Sequence, residues 1–145
     1  MSVRPILLAL PPAGVTLALA AIVVAELAGH HPLTEGPPQS VPEAIVMHDE
    51  AAAARLLEDG AEVDAIGLIR AGVFADRPIL ATPLEAAVLV DAAAAFDRLR
   101  ARGATTTANL ACLAEDVGAR ATRERVAGAS SCAKGAALTE LLARP

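Results

Sequence analysis

The sequence predicts an all-α protein, namely a short solenoid of helix pairs preceded by one N-terminal transmembrane or signal helix. About a quarter of the 145 residues are alanine and only 1% are aromatic. Alanine is the best helix former, whereas strands favour β-branched and aromatic residues. A long uncharged apolar run lies near the N-terminus, and helix-capping patterns recur after it. A chain of this length is expected to form one domain with a modest core.

The N-terminal run extends over residues 5–25, which contain no charged side chain and are rich in leucine, alanine and valine. Twenty helical residues rise about 30 Å, roughly the hydrocarbon thickness of a bilayer. We therefore predict a membrane segment over residues 1–29 that contacts lipid through residues 5–29. Arg4 precedes the run and Glu26 follows it. The positive-inside rule then predicts a single-pass protein whose remainder lies on the exported, periplasmic or extracytoplasmic side.

Two other interpretations of this run stay open. A secretory signal peptide is one, since Val23 and Ala25 are small residues of the kind that signal peptidase accepts. Cleavage there would leave a secreted or periplasmic binding protein. The run is longer than the usual apolar core of a signal peptide, which favours an uncleaved anchor. A buried helix in a soluble protein is the other, although such a helix normally carries a polar stripe.

Residues 30–42 are predicted to form a linker, because four prolines and a glycine interrupt regular structure there. The adjacent His30 and His31 have no other ligand beside them and are interpreted as polar linker residues. With two cysteines and three histidines the chain cannot build a zinc finger, and we predict neither a metal nor a cofactor. The net charge of −5 and the scarcity of aromatic residues argue against a nucleic-acid partner.

The clearest signal for the start of a helix lies at Thr82, well after the linker. Threonine is a favourable N-cap, and Pro83 suits the first helical position. Glu85, three residues after Thr82, completes the spacing of a capping box. A similar spacing joins Ser40 to Glu43. Both positions therefore predict the beginning of a helix.

The helix that begins at Thr82 is predicted to break near Asp91 and to continue as a second helix. Phe96 and Leu99 then face inward, while the intervening arginines face solvent. Gly103 ends the second helix, since glycine readily adopts the left-handed conformation found after helix ends. The result is a short antiparallel helix pair.

This pair resembles an ankyrin repeat, whose pattern includes Thr-Pro-Leu-His, a pair of alanines and a closing Gly-Ala. The matching residues are Thr82, Pro83, Leu84, Ala87, Leu99, Gly103 and Ala104. Glu85 stands where the family usually has histidine, which departs from the pattern. Residues 56–65 resemble the closing segment of a preceding repeat, and residues 109–126 resemble a looser third one. The resemblance implies ankyrin-like repeats over residues 43–128, and we predict a C-terminal capping segment over residues 129–145 with a helix at 136–143.

No grouping of residues indicates catalysis. The sequence lacks a glycine-rich phosphate loop, paired histidines on a helix and a persuasive Ser/His/Asp set. His48 lies near a predicted helix break and is interpreted as a solvated or capping residue. We therefore predict that the chain is not an enzyme. The apolar run predicts a membrane tether, and the resemblance implies a protein–protein interaction module. The alternative is an accessory subunit of a larger membrane complex.

The candidate partner-binding segment lies between the first two repeats, where residues 65–81 are about ten longer than the family's spacing requires. It is unusually apolar for a surface loop. Two interpretations stay open, since these side chains either pack back onto the helices or contact a protein partner. The candidate contact residues are Leu68, Ile69, Arg70, Phe74 and Arg77.

The two cysteines, Cys112 and Cys132, also allow two interpretations. In an exported domain an even number of cysteines permits a disulfide, which would fasten the C-terminal segment. Alternatively, Cys112 packs as a small apolar residue between Leu110 and Leu113. Spacing alone does not decide between them, because a disulfide requires a specific geometry.

Overall fold

A computed structural model describes residues 36–126 and 132–144, and within them it contains seven helices and one two-stranded antiparallel sheet. The predicted N-terminal membrane segment and residues 30–35 of the predicted linker lie outside the described residues. In chain order the elements are α1 (Val41–Val46), α2 (Glu50–Glu58), β1 (Gly67–Ile69), β2 (Ile79–Ala81), α3 (Pro83–Leu89), α4 (Ala93–Ala101), α5 (Ala108–Val117), α6 (Arg120–Arg123) and α7 (Ala136–Ala143).

The first helix pair consists of α1 and α2. Its start is set by Ser40, whose hydroxyl accepts the backbone N–H of Glu43 at 3.2 Å. The pair turns at His48, which has a positive φ of 57° and is exposed. Asp49 then caps α2, since its carboxylate accepts the backbone N–H of Ala52 at 2.8 Å. The expected helix start at residue 40 is confirmed.

The second helix pair consists of α3 and α4 and confirms the local predictions made for it. Thr82 and Glu85 form both hydrogen bonds of the capping box. Asp91, with a φ of 51°, provides the break between the two helices. Phe96 and Leu99 are buried in the core, and the arginines of α4 are exposed.

The segment between the two pairs is a β-hairpin, which the prediction of an all-α protein did not include. Leu68 lies opposite Leu80, and Ile69 lies opposite Ile79. Ile69 and Ile79 are buried, so the hairpin contributes to the core. Gly67 allows β1 to approach α1 closely, because a Cβ atom there would lie only 2.8 Å from the Cβ of Ser40. Leu68 is exposed while its neighbour Ile69 is buried, because successive side chains of a strand point to opposite faces of the sheet.

The predicted fold class is therefore wrong. The helices and the hairpin share one hydrophobic core, and no solenoid is shown for the described residues. The third unit differs from the first two, since α6 has only four residues. No helix within residues 36–126 and 132–144 is long and apolar enough to cross a membrane. Whether residues 1–29 span one stays a prediction.

The C-terminal helix α7 has the bounds that the sequence predicted and packs against α5. Its N-terminus is capped by Asp116, whose carboxylate accepts backbone N–H groups of Gly135, Ala137 and Leu138 at 2.6–3.2 Å. These bonds hold the pKa of Asp116 below its ordinary value, despite some desolvation. A disulfide joins Cys112 of α5 to Cys132, with the two Cα atoms 5.3 Å apart. The structure therefore favours the disulfide over the free thiols.

Candidate functional site

The large apolar side chains exposed within the described residues are those of Ile66, Leu68 and Phe74, with 59%, 45% and 38% of their surface accessible. All three belong to the hairpin or the residue preceding it. We call these three residues the hairpin apolar surface. Isolated exposed apolar residues are normal, whereas contiguous apolar patches mark interaction sites. The confinement of these three residues to one short segment makes it the candidate interaction site.

The structure separates the five predicted contact residues into two groups. Leu68, Phe74 and Arg77 are exposed and available to a partner. Ile69 is fully buried beneath the sheet, and Arg70 is largely occupied by an ion pair with Glu43. Strand alternation turns Ile69 toward the core, and Arg70 pairs with Glu43 at the edge of β1. That these two residues contact a partner stays a prediction.

Ile66 is the most exposed of the three apolar residues, and it is absent from the contact residues predicted from the sequence. It lies two residues before Leu68, and residues at that spacing share a face of a strand. The signal was therefore present in the sequence. It was overlooked because the segment was interpreted as a loop, in which alternation has no meaning.

The hairpin is held against α1 by hydrogen bonds along the outer side of β1. The hydroxyl of Ser40 donates to the carbonyl oxygen of Leu68 at 2.7 Å. The backbone N–H of Arg70 donates to Oε1 of Glu43 at 3.2 Å. An exposed strand edge is a site of uncontrolled pairing. Ser40 and Glu43 occupy backbone groups of this edge. A partner can therefore contact the side chains of β1 more readily than its backbone.

Glu43 is the anchor of this arrangement, since its side chain is completely buried. It accepts the backbone N–H of Gln39 at 2.7 Å and the Nε of Arg70 at 2.5 Å. Burial raises the pKa of Glu43, but the hydrogen bonds from Arg70 and Gln39 outweigh this effect, so its pKa lies below the ordinary value. A buried carboxylate with these partners stays charged and fixes the hairpin in place.

Two arginines of the third unit form ion pairs within the fold. Arg123 pairs with Glu115, and Arg125 pairs with Asp97 at 2.8 Å. Among the described residues no group of three or more His, Cys, Asp or Glu side chains is arranged to hold a metal ion. The exposed His48 occupies the turn of the first helix pair, as a residue near a helix break was expected to.

Comparison with known proteins adds no family assignment. No protein-family model matches the chain. No curated protein and no solved structure matches it either. The resemblance to ankyrin repeats therefore stays a prediction that rests on the residues quoted for it.

Proposed function

We propose that this protein is a membrane-tethered interaction module that binds a protein partner through the hairpin apolar surface. The observation that carries the proposal is the concentration of Ile66, Leu68 and Phe74 in one short element. Burying apolar surface contributes about 25 cal/mol per Å². A partner that covers these three side chains therefore gains binding energy from a surface that is otherwise exposed to water.

The rigid support of the hairpin favours this role. Ile69 and Ile79 anchor its inner face in the core, and the Arg70–Glu43 ion pair anchors its edge. A contact surface that is already ordered loses little conformational entropy on binding. Arg77 is exposed beside the turn, and arginine is enriched among the residues that dominate binding energies.

The proposed membrane tether and the proposed location of the folded part are supported by two different observations. The uncharged run of residues 5–25 is long enough to attach the chain to a bilayer. The Cys112–Cys132 disulfide supports the exported side, since disulfides persist in oxidising compartments. We therefore propose that the folded part works outside the cytoplasm and close to the membrane.

Site-specific photocrosslinking in native membranes tests the binding role. A photoreactive benzoylphenylalanine at Leu68 is expected to give one discrete protein adduct. The same residue at Arg100, an exposed position on α4, is the matched control and is expected to give none. Phe74→Ser should reduce the adduct from position 68 several-fold while leaving thermal unfolding unchanged.

Two results would overturn the binding role. One is equal labelling from positions 68 and 100, which would show that contact is unspecific. The other is labelling of lipid alone from position 68, which would assign the surface to the bilayer. Co-purification of the protein adduct with a large membrane complex would instead identify the partner as that complex and the chain as its accessory subunit.

The tether has its own test, which is independent of the partner. The full chain is expected to stay in the membrane fraction after high-salt and alkaline washing, because an apolar segment is retained by burial and not by charge. Recovery of soluble protein that begins at Glu26 would show cleavage and exclude the tether.

A further inference from the structure

A pocket of about 70 Å³ lies between the second helices of the two pairs, α2 and α4, away from the hairpin apolar surface. Its floor is apolar and combines small alanines with longer aliphatic side chains. The floor residues are Ile45, Ala53, Ala54, Leu57, Ala95 and Leu99. Alanine leaves the space that a larger side chain would fill, so the pocket follows directly from the alanine-rich composition.

The volume limits what the pocket can hold. A water-sized group requires roughly 10–15 Å³ of such space. The pocket therefore accepts roughly five to seven non-hydrogen atoms, and its apolar floor favours carbon over water. A short aliphatic chain has this size and chemistry, whereas a nucleotide or a sugar does not.

The charged and polar side chains that line the pocket are those of two arginines, one glutamate and one histidine, and we call this part of the lining the mouth. Arg98 lies on α4 and Arg102 directly follows it, while His48 and Glu50 come from the first helix pair. Arg98 and Arg102 are four residues apart and therefore project from one face of the helix.

Arg98 and Arg102 differ in the ion pairs that they form. Arg98 pairs with Glu50 at 2.7 Å, but both side chains are more than half exposed. An exposed pair of this kind is worth only about 0–1 kcal/mol, so Arg98 exchanges readily between Glu50 and another carboxylate. Arg102 is exposed and forms no ion pair within the part of the chain that the structure describes.

We propose that this pocket binds a short aliphatic carboxylate. The chain of four to six carbons occupies the apolar floor, and the carboxylate accepts hydrogen bonds from the guanidinium of Arg102 with help from Arg98. Arginine suits this role because its planar fork matches a carboxylate. A free short-chain acid and the C-terminal leucine of a peptide both present this chemistry.

Methyl NMR of the full, disulfide-bonded chain in lipid nanodiscs tests the proposal. Hexanoate is expected to shift the alanine methyl signals of Ala54 and Ala95 in a saturable manner. Hexanol and hexylamine at the same concentrations are expected to bind at least tenfold more weakly, because they lack the negative charge. N-acetyl-Gly-Leu, with its free C-terminal carboxylate, identifies whether a peptide end binds more tightly than the free acid.

Variants assign the binding to this pocket. Arg102→Gln is expected to weaken hexanoate binding about tenfold or more, the usual effect of losing a charge-assisted hydrogen bond. Ala54→Leu is expected to abolish binding by filling the floor. Arg100→Gln is the matched control, since Arg100 lies on the same helix, donates to the hydroxyl of Thr106 and does not line the pocket.

The proposal fails if hexanol binds as tightly as hexanoate, if Arg102→Gln has no more effect than Arg100→Gln, or if no signal shifts. Thermal unfolding of each variant separates loss of binding from loss of fold. Binding by either hexanoate or N-acetyl-Gly-Leu that responds to Arg102→Gln and Ala54→Leu as expected supports the proposal. The outcome is independent of the hairpin apolar surface, which these variants leave unchanged.

Discussion

The first and second helix pairs start with the same capping chemistry but use it to fasten different parts of the molecule. Glu43 and Glu85 both occupy the third helical position and both accept a backbone N–H at the helix start. Glu43 also binds Arg70 of the hairpin, whereas Glu85 binds Arg144 of the C-terminal segment. Each capping glutamate thus also forms an ion pair with a residue far away in the chain. The arginine with which it pairs determines which segment is held against the helix.

The two connections also differ in burial. The carboxylate of Glu43 is completely buried, and Arg70 reaches it from 27 residues away. Glu85 is slightly exposed, and Arg144 forms two parallel hydrogen bonds of 2.7 Å with it from 59 residues away. Removing one partner of a buried ion pair leaves an uncompensated charge, which is costly. The first connection should therefore matter more for stability.

The largest expected effect tests this difference directly. Glu43→Gln is expected to lower the free energy of unfolding by about 3 kcal/mol, because Arg70 loses its buried counter-charge. Glu85→Gln is expected to cost less, about 1–2 kcal/mol, because Glu85 and Arg144 are both partly exposed to water, which weakens the pair. Urea denaturation measures both values. An equal or larger cost at Glu85 would contradict the comparison.

The second effect concerns corresponding leucines in the two pairs. Leu56 and Leu99 each lie four residues before a glycine of positive φ, Gly60 and Gly103. Leu99 is buried, but Leu56 is only partly buried. Leu99→Ala is expected to cost about 2–5 kcal/mol, and Leu56→Ala is expected to cost clearly less.

The control for this comparison is Arg98→Ala, which removes an exposed side chain next to Leu99. Its only described ion pair is the exposed one with Glu50, so a loss within about 1 kcal/mol is expected. Similar losses at positions 98 and 99 would show that the assigned inner face of α4 is wrong.

Removing the disulfide is expected to lower the free energy of unfolding by an amount similar to that for Leu99→Ala. The local effect should be confined to the C-terminal side of the molecule. Cys112→Ser opens a loop of 20 residues, which is expected to cost roughly 3 kcal/mol. Hydrogen exchange is expected to accelerate in α7 and to stay unchanged in α2, because α7 packs against α5 and β2 whereas α2 packs against α1. Faster exchange in α2 would show that the loss of the disulfide spreads through the whole core.

The smallest expected effect is on the pH dependence of stability. Because the pKa of Glu43 is lowered in the folded protein, its charged form contributes stability above the ordinary pKa of about 4.5. That contribution is lost as the pH falls through the lowered pKa of the folded state. Glu43→Gln should therefore show a flatter decline in unfolding free energy below pH 4.5 than the unchanged chain. Parallel profiles would contradict this role.

The features that follow from the sequence alone are local. The helix starts at Ser40 and Thr82, the break at Asp91 and the bounds of α7 follow from capping residues, glycine and apolar spacing. Each of these signals acts within a few residues, so no knowledge of distant segments is needed to interpret it. The inward faces of Phe96 and Leu99 follow from the same short-range periodicity.

The contacts between distant residues depend on how the whole core packs. The hairpin forms because Ile69 and Ile79 reach the core together, and a pattern of three apolar residues does not by itself distinguish a strand from a loop. The Arg70–Glu43 pair, the Cys112–Cys132 disulfide and the pocket between α2 and α4 likewise join segments that are far apart in the chain. Their formation depends on packing and burial across the whole core, which no local pattern records.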